Sequence, residues 1–304
     1  MSPAMFVNVL ALVHELSPLR AQEPLLVLFM AMACIRHQHL SVSTVTGNTD
    51  DFIFGRCPQG KCRRRGTRPP FDWAIPRPSC IPGAFSFILE VAERMDFPSF
   101  VIPARAKARR IPTRRWLPHP MGHRMAMRII RQVFADAGMD KSHAEQMTFN
   151  TCRRFLPTLA NVLQFSRHDC QAIGNWVEDQ SAGASPATVL PMSVHYSDRK
   201  ALASGVVKQR ALAEFLSILR EIPSVQPVID GGSDRVSDAD VSWDTIATIH
   251  QSRQTIVSSS PKDKKDKKSK KDKKHKHKRD DTGKCAKKAN MEKRPVWDTT
   301  GLQR

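Results

Sequence analysis

The chain has 304 residues, with 48 Lys+Arg against 29 Asp+Glu and a formal net charge of +19. A hydrophobic content of 40% supports one sizeable core or two small ones, and excludes a wholly disordered chain, a collagen-like chain and a disulfide-stapled miniprotein. Seven irregularly spaced Cys in so long a chain read as reduced thiols of the cytosol or nucleus.

Residues 1–46 read as helical, with apolar segments Met5–His14 and Pro24–Ile35 joined at Ser17-Pro18. Pro24 fits the first turn of the second helix, where its missing N–H does no harm. That segment is apolar nearly all round, which implies a buried helix. Its longest apolar run, Leu25 to Ile35, falls short of the roughly 20 residues that span a membrane. The stretch Ala4–Val13 lacks the basic flank of a secretory signal.

Phe52-Ile53-Phe54 is a short β-prone run, Arg56 to Lys61 reads as a turn, and Phe71–Ile75 as the returning strand of a hairpin. Ala84–Met95 reads as a helix with Phe85, Ile88, Leu89 and Ala92 on one face. Residues 98–120, with Arg105, Lys107, Arg109, Arg110, Arg114 and Arg115, read as a basic arm. Arg124–Ala137 is an amphipathic helix that stops at Gly138. Thr148–Phe165 and His168–Trp176 are two further helices, and residues 179–190 a loop of small residues. Asp198–Ile222 is a long helix with Val206, Leu212, Phe215, Leu216 and Leu219 facing inward. The fold class expected is mainly α with a small antiparallel β element (α+β). Residues 1–225 form the body, 226–257 a weakly structured linker and 258–304 a disordered basic tail.

The charge is uneven. Residues 261–279 carry +9 and residues 280–304 carry +2, which leaves +8 on the body. A basic body and a lysine tract both point to a polyanionic partner, most simply nucleic acid. The tract is usually a solvated tail. Its functional reading is a nuclear localisation signal or a non-specific nucleic-acid grip, and the localisation expected is nuclear.

Four places form an ordered set. Cys34-Ile35-Arg36-His37-Gln38-His39-Leu40 puts an Arg at the end of a buried helix, and Gly60-Lys61 puts a Lys in the hairpin turn. Asn150-Thr151-Cys152-Arg153 puts a second Arg near a helix start. Ile173-Gly174-Asn175-Trp176 follows, and then Tyr196, the one tyrosine of the chain.

This order resembles the tyrosine recombinases, the phage-integrase-like enzymes that break and rejoin DNA, over about residues 5–222. The resemblance implies an integrase-like catalytic domain acting on duplex DNA, with no metal and no nucleotide cofactor, working as a homo-tetramer. It implies that Arg36 and Arg153 clamp the scissile phosphate, Lys61 is the general acid and Tyr196 the nucleophile of a 3′-phosphotyrosyl intermediate. Asn150 stands where the family has the His of its second box. His39 stands where it has a Glu, and Asn175 separates Gly174 from Trp176; Trp176 or Asn175 would support the phosphate. Family members usually carry a helical DNA-clamping domain ahead of the catalytic one, and only 35 residues precede Arg36. A truncated, degenerate or domesticated mobile-element copy, or an incomplete gene, is therefore expected.

These residue types suit the chemistry. A phosphodiester under attack gathers charge on its non-bridging oxygens, which two guanidiniums hold by forked, charge-assisted bonds. A tyrosine oxygen can attack phosphorus, and a lysine can protonate the departing 5′ oxygen. Each residue has an ordinary reading too. Arg36 suits the C-terminal dipole of its helix, Lys61 has rivals in Arg63, Arg64 and Arg65, Arg153 has one in Arg154, and Trp176 and Tyr196 could be packing aromatics. Cys57 and Cys62 with His37, His39 and Cys80 suggest zinc only weakly, because the paired short spacings of zinc sites are missing. Two further functions stand beside recombination: a DNA-binding protein without catalysis, favoured by Asn150, and a lysine-tailed nuclear interaction protein.

Overall fold

The computed structural model describes residues 1–58, 70–105, 116–174 and 199–259. The chain divides into a unit over Met1–Ser260 and a second over Pro261–Arg304, and the second lies outside the described residues.

The body is mainly helical with small antiparallel sheets, an α+β fold. Helix α1 (Pro3–Glu15) starts with Ser2 accepting from the backbone N–H of Met5, an ordinary N-cap. Every residue from Pro3 to Val13 is buried. Helix α2 (Pro18–Ala33) lies against α1 and is buried from Pro24 to its end. It begins at Pro18, so Pro24 sits inside it rather than in its first turn. Burial of the surrounding apolar turns offsets the one backbone donor that Pro24 lacks. Cys34 ends the helix in the left-handed conformation, with φ of 56°.

Helix α3 (His37–Leu40) is one turn, and strand β1 (Thr44–Asn48) follows it. The sequence reading had helix up to residue 46. Val45, alternating between Thr44 and Thr46, was the signal for a strand. The hairpin is present: β2 (Phe52–Cys57) pairs antiparallel with β3 (Phe71–Pro76) in continuous register from Phe52↔Pro76 to Cys57↔Phe71. With β1 on the other side of β2 it makes a three-stranded sheet. Arg56 and Cys57 belong to the strand, and residues 59–69 lie outside the described residues.

A 3₁₀ turn (Pro82–Phe85) leads into α4 (Ser86–Arg94), and Phe85, Ile88, Leu89 and Ala92 are all buried, as their spacing predicts. The segment read as a basic arm contains a second ribbon, β4 (Pro103–Arg105) with β5 (Trp116–Pro120). Its cationic middle, residues 106–115, lies outside the described residues. Trp116 Nε1 donates to Gln22 Oε1 at 3.1 Å, and Arg105 pairs with Glu23, so the ribbon is tied to α2.

Helix α5 (His123–Asp136) is followed by α6 (Lys141–Gln146), a short helix capped by Asp140 that the sequence reading passed over. The expected helix over 148–165 is two: α7 (Phe149–Arg153) and α8 (Phe155–Val162), meeting at Arg154. Helix α9 (Arg167–Gly174) reaches the limit of the described residues, and Asn175, Trp176 and the 179–190 loop lie beyond it.

Helix α10 (Arg199–Arg220) crosses β3. A Cβ at Gly205 would stand 2.9 Å from that of Ala74 and 3.0 Å from the Phe52 ring, so glycine sets this close approach. Leu212, Phe215, Leu216 and Leu219 are buried as expected, but Val206 is 49% exposed. Ala201, Gly205 and Lys208 take the seat on the sheet, and a residue one position past Gly205 turns away from it.

The segment read as a weak linker is part of the body. It holds α11 (Gln226–Ile229) and α12 (Trp243–Ser259), with Val225, Val228, Ile229, Val236, Val241 and Ile246 buried. Two polar contacts explain why. The buried amide of Asn8 donates to Val236 O at 2.9 Å and accepts from its N–H at 2.8 Å. Arg253 of α12 binds Glu214, Ser217 and Glu221 of α10.

Candidate functional site

The end of α2 gathers cations from distant parts of the sequence. Arg36 follows the left-handed Cys34 by two residues and caps α3. Arg153, the last residue of α7, donates from Nε to the carbonyl of Cys34 at 3.0 Å. Lys208 of α10 is fully buried, and its Nζ donates to Ala33 O at 3.0 Å and to Ala74 O at 3.1 Å. The last carbonyls of a helix have no intrahelical partner and carry its negative dipole end, which is why donors converge there.

Arg153 is held below the usual arginine range, first by its burial and then by the charge of Arg36, with Arg154 adding to it. The guanidiniums are therefore near enough to repel. Among the described residues no carboxylate pairs with Arg36, Arg153 or Arg154. Because Nε of Arg153 is engaged by the backbone, its two terminal nitrogens keep a fixed direction. Such a pair can hold two oxygens of one anion, and an anion between them turns their repulsion into attraction.

Burial lowers the Lys208 amine below the ordinary lysine value of 10.5, with partial opposition from the Cys34 side chain. A neutral amine still has two N–H bonds, one for each carbonyl it touches. The side chain is sealed from solvent, so it fixes the turn rather than meeting a ligand. Sequence reading missed Lys208. Its signal was a lysine on the inward stripe of an otherwise apolar helix face, at the spacing of Ala201 and Gly205.

His37 is buried beside Arg36, with its ring edge-on to His123 at 5.6 Å and to Phe149 at 5.5 Å. Burial, and then His123, lower its pKa, so the imidazole is neutral at pH 7. Asn150, one residue past Phe149, is exposed in the first turn of α7. His39 turns the other way, edge-on to Phe71 of the sheet.

Of the residues singled out in the sequence, Arg36, Asn150 and Arg153 come to one region. Lys61, Trp176 and Tyr196 lie outside the described residues, as does Cys62. Lys61 falls in sequence between β2 and β3. Among the described residues no three His, Cys, Asp or Glu side chains gather as metal ligands. Burial pushes the thiols of Cys34 and Cys80 up to about 11 and that of Cys152 to about 12. These thiols stay protonated at neutral pH and cannot serve as thiolate nucleophiles.

No protein-family model matches the chain, and comparison with curated proteins and with solved structures found no match. Among the described residues no helix is long and apolar enough to cross a membrane.

Proposed function

We propose that the chain acts on duplex DNA by a tyrosine-recombinase-like mechanism. The observation that carries this reading is the convergence of Arg36 and Arg153 on one turn, from positions more than a hundred residues apart, with no acidic partner among the described residues. In the proposed reaction both guanidiniums hold the non-bridging oxygens of one phosphodiester and stabilise the charge that builds there. The Tyr196 hydroxyl gives up its proton to solvent as its oxygen attacks phosphorus and forms a 3′-phosphotyrosyl bond, while the bond from phosphorus to the 5′ oxygen breaks and that oxygen leaves with a proton from Lys61. Rejoining is the reverse: the 5′ hydroxyl attacks the phosphotyrosine, and Tyr196 recovers its proton. Trp176 or Asn175 supports the phosphate, and a homo-tetramer pairing two duplexes is the assembly that goes with such exchange. The lysine tract would add salt-sensitive grip and a nuclear address.

Asn150 favours a second reading, a DNA-binding protein on the same scaffold without catalysis. An amide donates a hydrogen bond but moves no proton at neutral pH. Covalent trapping separates the two. In the first reading Tyr196→Phe loses the adduct and keeps DNA binding, and an adduct that persists in that variant overturns the assignment. In the second the unaltered protein binds DNA and forms no adduct.

A further inference from the structure

Helix α5 has an apolar and a basic face. Ala126, Met127, Ile129, Ile130, Val133 and Phe134 are buried. Arg124, Arg128 and Arg131 are exposed, and with steps of four and three residues they fall within about 60° of one another around the axis. Arg124 and Arg128 make no hydrogen bond or ion pair among the described residues, and Arg131 donates from Nε to Met147 O at 3.3 Å. The nearest acid on the helix, Asp136, lies off this stripe and accepts from Gln132 at 2.7 Å.

The stripe adjoins the arginine pair. At its start His123 meets His37, the neighbour of Arg36, and His37 meets Phe149 of α7. Toward its other end Arg131 holds the backbone just before α7, the helix that carries Asn150 and Arg153. So α5 packs near α7, the helix that carries Arg153, through contacts at both of its ends.

From this geometry we infer that Arg124, Arg128 and Arg131 form a track for the phosphate backbone of duplex DNA flanking the arginine pair. The inference rests on duplex DNA being the partner of that pair. Seven residues of helix rise about 10 Å. One strand of B-form DNA advances about 3.4 Å per nucleotide, so the track spans about three phosphates. Exposed guanidiniums of this kind contact backbone and carry no base information, so they set affinity and register but not the chemical step.

The test uses the full chain and a 30-base-pair duplex. Binding is measured against salt for the unaltered protein and for a variant with Arg124→Gln, Arg128→Gln and Arg131→Gln together. Losing three phosphate contacts reduces the slope of log affinity against log salt by about 2.7. Replacing the three by Lys restores it. An unchanged slope in a variant of unchanged melting temperature overturns the track and leaves the Arg36–Arg153 reading standing. Stronger binding of the track to single-stranded RNA or to an acidic polypeptide overturns it too. Absence of any salt-dependent duplex binding by the unaltered protein overturns both.

Discussion

The Nε of Arg153 donates to the carbonyl of Cys34 at 3.0 Å, across 119 positions of sequence. One bond thus fixes the last residue of α7 to the turn that ends α2, two residues before Arg36. The charge of Arg36 acts on the Arg153 guanidinium and, after burial, lowers its pKa. The candidate site exists because this turn is left-handed at Cys34: a helix continued past it would carry residue 36 elsewhere and hide the carbonyl that Arg153 uses.

The two arginines should respond differently to removal. Arg153→Ala costs about 1.5–3 kcal/mol of stability, because its charged hydrogen bond holds two elements together. Arg36 donates no side-chain hydrogen bond among the described residues, so Arg36→Ala stays within about 0.5 kcal/mol. Both lower covalent adduct formation on DNA by about 100-fold or more. Thermal unfolding and adduct yield on the same preparations check the contrast. Equal stability losses would contradict it.

Lys208→Met should destabilise the body by about 2–4 kcal/mol, since it leaves the carbonyls of Ala33 and Ala74 buried without their donor. The pH dependence has a defined sign. Burial lowers the amine in the folded state, so the unfolded chain binds more protons between the folded value and 10.5. Stability from this group therefore rises with pH through that window. The Cys34 thiol beside it, pushed to about 11, stays protonated over most of that range. Denaturant unfolding at a series of pH values up to 10.5 should show the rise in the unaltered protein and its loss in Lys208→Met.

Gly55 faces the indole of the fully buried Trp73 so closely that a Cβ would overlap the ring. Trp73 Nε1 donates to Ser43 Oγ at 3.2 Å, and Ser43 Oγ donates to His39 O at 2.7 Å, which locks the sheet to α3. Gly55→Ala should cost about 1–3 kcal/mol or more through this displacement. A melting temperature within 1–2 °C of the unaltered protein, on the order of 0.5 kcal/mol, would contradict it.

The two basic regions can be separated by truncation. Without residues 261–304 the body keeps +8 of the +19. Duplex binding by residues 1–260 should weaken and lose part of its salt dependence but persist. Complete loss of binding would place the grip in the lysine tract and support an interaction protein with a basic tail.

Much of this architecture was legible in the sequence. Strong periodicity gave α1, α2, α4, α5 and α10, and the apolar runs at Phe52 and Phe71 gave the hairpin. The misses have different causes. Strand β1 is short and polar and depends on pairing with β2. Helices α11 and α12 have a weak apolar pattern, and Asn8 and Glu214 hold their segment to the body. Val206 lies on the wrong side of α10 because Gly205 and Lys208, not apolar bulk, define the seat on the sheet. For the site, residue type and order singled out Arg36 and Arg153; the structure puts Arg153 at the end of α7 rather than near a helix start, with its Nε on the turn before Arg36. Lys208 left only its place on the inward stripe of α10, and the two carbonyls that specify a buried lysine there come from distant elements.

The measurement that tests the central claim most directly is covalent trapping. The full chain is incubated with a pool of nicked duplexes from which the short 5′-hydroxyl strand is lost after cleavage, and denaturing gels then show DNA that stays attached to protein. The account predicts an adduct that maps to Tyr196 and disappears in Arg36→Ala, Arg153→Ala and Tyr196→Phe. Duplex binding with no adduct from any member of the pool, or an adduct indifferent to Arg36 and Arg153, would contradict it.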